Sequence, residues 1–240
     1  MSKLSDDIII VDRVSKRYGA TRALSNITLR LGRGLHLILG PNGSGKSTLL
    51  SIISGVERPD LGSVNVLGFD PWRDGRSLLN RVVSLLDRTS VYPWTSGVEI
   101  AAVAASERGV LWREVLELAD YFGVSSYWAK PYMSYSSGMR RKLLLLLAFI
   151  GDPEVVIVDE PFQALDKEVS DRVVGVLLER VSRGATVLVA THIFDRRLLE
   201  ASATITMMEQ GRVVVHGRPE QLRVAGENLV EIALKCVKTS

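Results

Sequence analysis

One cysteine in 240 residues, Cys236, leaves no intramolecular disulfide to be made. The sequence shows no reliance on an oxidising compartment, and a reducing cytosol is the expectation. Long hydrophobic runs are missing as well. The longest purely apolar stretch, residues 143–150, falls far short of the roughly 20 residues that cross a bilayer, so this subunit is not expected to span a membrane. The opening Met1-Ser-Lys-Leu-Ser-Asp-Asp7 carries acidic residues and no long apolar segment, which predicts neither a secretory signal nor a transit peptide. An excess of one charge is also lacking: 30 Lys and Arg stand against 27 Asp and Glu, a net charge of +3, with no run of five like charges. Nucleic-acid binding is not indicated, and the clusters Lys16-Arg17, Arg140-Arg141-Lys142 and Arg196-Arg197 read as solvated surface. There is no internal repeat and no low-complexity stretch.

A content of 46% apolar and 24% charged residues is that of a globular chain, well away from disorder. At this length it suits one large domain or two small ones around a substantial core. Apolar or alternating runs at 8–11, 27–31 and 35–39, separated by turns such as Gly32-Arg-Gly34, predict strands. Residues 47–53 predict a helix that stops at Ser54-Gly55, and 63–67 and 82–86 predict further strands. From about Thr89 to Ile150 the apolar spacing turns to three and four, at 98–105, 112–122 and 138–149, predicting a helical subdomain. Strand character returns at 155–158, 186–190 and 205–208, alternating with helical stretches at 167–182 and 193–201. Strands alternating with helices imply a largely parallel sheet covered on both faces. Residues 228–240 read as no more than a final strand.

Gly40-Pro-Asn-Gly-Ser-Gly-Lys-Ser47 fits the P-loop pattern and lies between an apolar strand and a helix, as that motif requires. Its glycines let successive N–H groups curl around phosphate oxygens. The helix that follows aims its positive end at them, and Lys46 adds a full charge. Ser47 puts a hydroxyl where Mg²⁺ would sit. At average residue frequencies such a match arises by accident in on the order of one chain in a hundred, before the flanking elements are considered. The other half of a nucleotide site is a carboxylate at the end of a buried strand, and Val155-Val-Ile-Val-Asp159-Glu160 supplies it. Two adjacent carboxylates there call for a compensating cation. Asp159 suits the Mg²⁺ shell, and Glu160 suits orienting or deprotonating a water.

With these motifs in hand, the sequence resembles the ATP-binding subunits of ABC transporters over residues 11–219. Four further motifs follow in the family's order. Ser136-Ser137-Gly138-Met139 resembles the signature loop, which acts on the nucleotide held by a partner's P-loop. Ala164-Leu165-Asp166 resembles the D-loop, Thr191-His192 the switch histidine that contacts the γ-phosphate, and Tyr18 the aromatic that stacks on adenine. Each alone has an ordinary explanation, as a surface tyrosine, a capping or core histidine, or a turn before a helix; order and spacing together carry the likeness. The resemblance implies an α/β fold in one domain over 1–240. Its parts are a P-loop core (1–88 and 151–240) with a mostly parallel sheet, an N-terminal antiparallel β region and an inserted helical subdomain (89–150). It also implies ATP and Mg²⁺ as cofactors. Glu160, His192 and Lys46 are then catalytic. Tyr18, Gly40, Pro41, Asn42, Gly43, Ser44, Gly45, Lys46, Ser47, Thr48, Ser136, Ser137, Gly138 and Asp166 hold nucleotide, and Ser47, Asp159 and Asp87 hold metal. The implied partners are a second copy or a homologous ATPase subunit and an integral membrane subunit, with the chain peripheral on the cytoplasmic face of the cell membrane.

Two departures from the family pattern stand out. Asp87 occupies the place where the family has a glutamine that meets Mg²⁺; it is also a hard oxygen ligand, but one that adds negative charge beside a triphosphate. Ser137 replaces the first signature glycine and Met139 the usual glutamine. The run Gly138-Met-Arg-Arg-Lys142 and the compact helical subdomain resemble exporter ATPases more than importer ones. A soluble ABC-type ATPase acting on a nucleic-acid or ribosomal partner is the alternative, although the chain has a single P-loop and no heptads. An unrelated P-loop kinase or GTPase leaves the signature loop unexplained, and a catalytically dead binding module does not suit the presence of both Glu160 and His192.

Overall fold

A computed structural model describes residues 7–86, 91–193, 195–224 and 227–228. The chain opens with β1 (Ile9–Tyr18) and β2 (Thr21–Leu31), an antiparallel pair that β4 (Leu61–Val66) joins on the far side of β1. Between β2 and β4 lie β3 (Gly34–Leu39) and α1 (Lys46–Ile53). A short α2 (Gly75–Leu78) leads to β5 (Val82–Leu85), then α3 (Gly97–Arg108), α4 (Trp112–Tyr121) and α5 (Ser137–Phe149). The chain returns through β6 (Val155–Asp159), α6 (Lys167–Ser182), β7 (Thr186–Thr191), α7 (Arg196–Ala201), β8 (Ser202–Glu209) and β9 (Arg212–Gly217). The main sheet has the order β5-β6-β7-β3-β8-β9, parallel except for the β8–β9 edge.

The central strands are mostly apolar because both of their faces are buried, and the pleat sorts their side chains into two cores. Val156 and Val158 of β6, with Val187 and Val189 of β7, pack with Leu145 of α5 and Val173 and Leu177 of α6. Val155 and Ile157, with Leu188 and Ala190, pack on the other side with Leu49, Leu50 and Ile53 of α1 and with Val11, Leu29 and Val64 of the antiparallel sheet. Each such Val, Leu or Ile side chain contributes roughly 1.5–3 kcal/mol on burial. The first core also takes in Ala101 of α3, Val115 of α4 and Leu143 of α5, so the helical segment shares one continuous apolar interior with the sheet.

The expected strands and helices appear, with two corrections. Helix α7 begins at Arg196 rather than at 193, because the Asp195 carboxylate accepts hydrogen bonds from the N–H groups of Arg197 and Leu198, capping the helix there. The cluster at 140–142 is not simply solvated surface, since Arg141 is buried. Residues 229–240, most of the stretch read as a last strand, lie outside the described residues, as does Cys236.

Two histidines lie in the main sheet on either side of β8. His36 of β3 donates from Nε2 to the Gly32 carbonyl at 2.9 Å, which leaves Nδ1 to accept from the Thr204 hydroxyl at 2.8 Å. His216 of β9 pairs through Nδ1 with the hydroxyl of Thr206 on the neighbouring β8 at 2.9 Å. Burial pushes His36 below its ordinary pKa; the Gly32 carbonyl pulls partly back, and His216 adds to the depression. Burial lowers His216 as well. The unfolded chain takes up protons as pH falls through the usual histidine range near 6.5 while the folded chain resists. This contribution to stability is therefore full above that range and is lost as pH falls towards the folded values, at up to about 1.4 kcal/mol per pH unit for each histidine. Urea midpoints from about pH 7.5 to about pH 5.5 should fall for the wild type and fall less for His36→Gln; equal slopes would sink this account.

Candidate nucleotide-binding site

The carboxyl ends of β3, β7 and β6 lie side by side, with Leu39 paired to Thr191 and Asp159 to Ala190. Ligands of open α/β sheets bind at such an edge. β3 runs into the glycine loop, and two of its glycines cannot be replaced without moving backbone. A Cβ on Gly40 (φ 153°) would lie 2.3 Å from the Met208 carbonyl oxygen, and one on Gly45 (φ 102°) 2.7 Å from that of Ala23. Gly45 caps α1 with no side chain, so the first N–H groups of that helix face the cleft uncapped. Ser44 is 2% exposed, and its hydroxyl has no hydrogen-bond partner among the described residues. The Lys46 ammonium, 5% exposed as a residue, donates to the Gly40 carbonyl at 2.7 Å and to that of Pro41 at 3.2 Å, bending over its own loop.

At the end of β6, Asp159 is buried and Glu160 turns sharply, with φ at 46° in the left-handed region. Its N–H still reaches the Ala190 carbonyl at 2.8 Å. One carboxylate oxygen of Glu160 lies 2.9 Å from His192 Nδ1 and 3.7 Å from Lys46 Nζ. The other accepts from the Thr191 hydroxyl at 3.1 Å and from the His192 N–H at 3.4 Å. Glu160, His192 and Lys46, which come from three different strand ends, are thus brought within contact of one another.

Tyr18, Asn42, Gly43, Ser44, Gly45, Lys46, Ser47, Thr48, Asp159, Glu160 and His192 line one open cleft of about 460 Å³. Gly40 and Pro41 enter through the carbonyls that hold Lys46. The Tyr18 ring stands at the rim, its hydroxyl donating to Glu57 and the Lys16 ammonium 5.7 Å from its centroid. Four further residues that the sequence motifs do not mark also line it: Thr21, Arg22 and Ala23, the first residues of β2, and Gln163, which follows Glu160-Pro161. Only their proximity to recognised motifs could have flagged them.

Ser136, Ser137, Gly138 and Asp166 do not join this cleft. The first three form the outward N-terminus of α5, where the Ser136 hydroxyl accepts from the Met139 N–H at 3.2 Å. Asp166 caps α6, accepting from the Val169 N–H at 2.9 Å; that bond and the nearby Lys142 hold its carboxyl below the usual range. Asp87 lies outside the described residues.

The donor set suits a magnesium ion shared with a nucleotide. Ser47 and Asp159 both face the cleft. Among the described residues no group of three or more His, Cys, Asp or Glu forms an all-protein metal cage. Mg²⁺ characteristically takes one or two protein oxygens and completes its shell with phosphate and water.

A strand, a glycine loop and a helix carrying Lys46, beside the buried Asp159 and its neighbour Glu160, define a P-loop nucleotide-hydrolase site. The family described as "ABC transporter" matches residues 24–163. The daunorubicin resistance ATP-binding protein DrrA3 of Streptomyces coeruleorubidus is 31% identical over 97% of this chain and 75% of its own length. A solved ATP-binding subunit of an ABC transporter superposes with a TM-score of 0.82 at 23% identity, covering 96% of this chain and 99% of that one. A dimeric ATP-binding cassette in a post-hydrolysis state with ADP and Pi superposes with a TM-score of 0.76 at 22% identity, over 88% of this chain and 98% of that one. The chain belongs to the ABC transporter family. It is the ATP-binding, ATP-hydrolysing subunit of such a transporter.

Proposed function

We propose that two copies of this chain close on two ATP molecules, each nucleotide lying between the P-loop of one copy and the signature loop of the other. The separation within one chain carries this reading: Lys46, Glu160 and His192 share a cleft, while Ser136, Ser137, Gly138 and Asp166 face away from it. Donors built like a helix N-terminus but aimed outward suit a phosphate held by a second molecule. The dimeric cassette with ADP and Pi supports the pairing of two copies.

Within each half-site, Lys46 and the N–H groups of residues 43–48 offset phosphate charge, and Tyr18 offers its ring to the base. Ser47 and Asp159 hold Mg²⁺, with Asp87 proposed as a third oxygen ligand; the ion when bound neutralises charge that builds on the phosphates. Glu160 orients and deprotonates the attacking water. His192, tied to Glu160, contacts the transferred phosphoryl group.

Closure and reopening then work on a separate membrane subunit. Tyr92, Trp94 and Met133, 81%, 77% and 57% exposed, suit it as a docking patch. Backbone bonds from Met133 to Pro93 and from Tyr132 to Thr95 hold the two segments together. No helix among the described residues is long and apolar enough to cross a membrane, which suits a peripheral place on the cytoplasmic face beside that subunit. The likeness to a drug-resistance ATPase supports an exporter, and favours transport over action on a nucleic-acid or ribosomal partner.

A site completed by two copies has a kinetic signature. Phosphate release per molecule should rise with protein concentration and then level off as dimers form. A specific rate constant from nanomolar to micromolar protein would remove the shared-site reading.

A further inference from the structure

Arg141, part of a cluster that reads as solvated surface in the sequence, lies directly behind the Glu160 turn. Its residue is 8% exposed, and its Nη2 donates to the Asp159 carbonyl at 2.5 Å and also to the carbonyl of Glu160. One guanidinium nitrogen carries two hydrogens, so it serves two neighbouring acceptors without distortion. The carbonyls it serves belong to the last residue of β6 and to the residue with φ at 46°. A non-glycine residue persists in that region only when its surroundings hold it there. The bonds to Arg141 are such a hold, and they place a positive charge on the backbone side of two adjacent carboxylates.

The helix that carries Arg141 begins at the signature loop, and it meets the turn 159–166 at further points on the same face. A Cβ added to Gly138 would lie 3.0 Å from the Ala164 carbonyl oxygen, which means the α5 backbone presses directly on that loop. The Lys142 ammonium lies 3.7 Å from the Asp166 carboxylate. Positions 138, 141 and 142 are spaced three and four apart, as one helix face requires. The outward N-terminus of α5 and the Glu160 turn therefore behave as one mechanical unit.

We propose that Arg141 is a positioning residue for hydrolysis: it holds the Glu160 carboxylate in its reactive place from the signature helix, so that contact made at Ser136 to Gly138 is felt at the water-activating group. The inference rests on Glu160 being that group. A chain without the Arg141 grip still has its P-loop, its signature loop and its Glu160 side chain; what it loses is the fixed backbone beneath that side chain.

Arg141→Met keeps length and apolar packing while removing every donor; Arg141→Lys restores one charged donor. Expected for Arg141→Met is a fall in kcat of about 10-fold or more, within the range of a misplaced general base. ATP affinity, ATP-driven pairing and melting temperature should stay near wild type, and Arg141→Lys should recover part of the rate. Adding Arg141→Met to Glu160→Gln should slow turnover no further, because the carboxylate that Arg141 serves is already gone. An unchanged kcat, a rate loss matched by lost ATP binding, or a double variant slower by the product of the two single effects would each overturn the proposal. Should Arg141→Met fail to fold, Arg141→Lys with the same readouts decides. If Glu160→Gln itself keeps full turnover, it is the assignment of Glu160 that fails, and the two failures are told apart.

Discussion

Replacing Lys46 by alanine will lower the affinity for ATP by about 10²–10³-fold and leave the fold intact. The magnitude follows from charge and setting. A unit charge about 4 Å from a phosphate is worth about 4 kcal/mol at the effective dielectric of a partly exposed site, and part of this is returned when water takes the vacated place. The Lys46 side chain is only 6% exposed, so the ammonium is poorly solvated, and carbonyls of its own loop aim it at the cleft. Among the described residues no other lysine lines the cleft, and Arg22 comes from β2 rather than from the glycine loop. The fold should survive because α1 is anchored by Leu49, Leu50, Ile52 and Ile53, all buried, rather than by Lys46. ATP titration with circular dichroism as a control tests this. Unchanged affinity would remove the P-loop assignment, and lost ellipticity would make the experiment one on folding.

Glu160→Gln carries the second large effect, a loss of roughly 10²–10⁴ in hydrolysis with ATP binding kept. An amide is nearly the shape of the carboxylate, and its oxygen still accepts from the Thr191 hydroxyl and the His192 N–H. What it lacks is a proton acceptor and a negative charge 3.7 Å from Lys46 and 2.9 Å from His192. With that charge gone, the Lys46 ammonium and the His192 ring are freer to meet a phosphate, so ATP affinity should equal or exceed that of the wild type. Phosphate release and equilibrium binding on the same preparation separate the two effects. Hydrolysis within a few-fold of wild type would take the water-activating role away from Glu160.

The parts of this site that could be read from the sequence are those whose chemistry is local. Residues 40–47 must sit between a strand and a helix, because glycine conformations, the helix N-terminus and the lysine act over a few residues. β6 announces itself through β-branched residues that fill both faces of a parallel sheet, with its carboxylates at the end. Arg141 was misread because its partners are main-chain carbonyls 18 and 19 residues away, which have no side-chain signature. A run of three basic residues looks the same whether its middle member points out or in. Thr21, Arg22 and Ala23 reach the cleft because the start of β2 lies against the glycine loop, a tertiary event with no local pattern. The start of α7 was placed too early because the apolar Ile193 fits a helical period, whereas Asp195 captures the N–H groups that define the first turn. The signature loop was recognisable by its residues; that it faces away from its own P-loop is visible only in three dimensions.

The claim that one nucleotide needs two chains is tested most directly by sedimentation of the Glu160→Gln protein with and without ATP, with bound nucleotide counted in each species. Because this variant binds but turns over slowly, closed pairs should accumulate. The account predicts a monomer without ATP and, with ATP, a dimer that holds two nucleotides. A monomer that stays monomeric at saturating ATP and high protein concentration, with one nucleotide bound per chain, would contradict it.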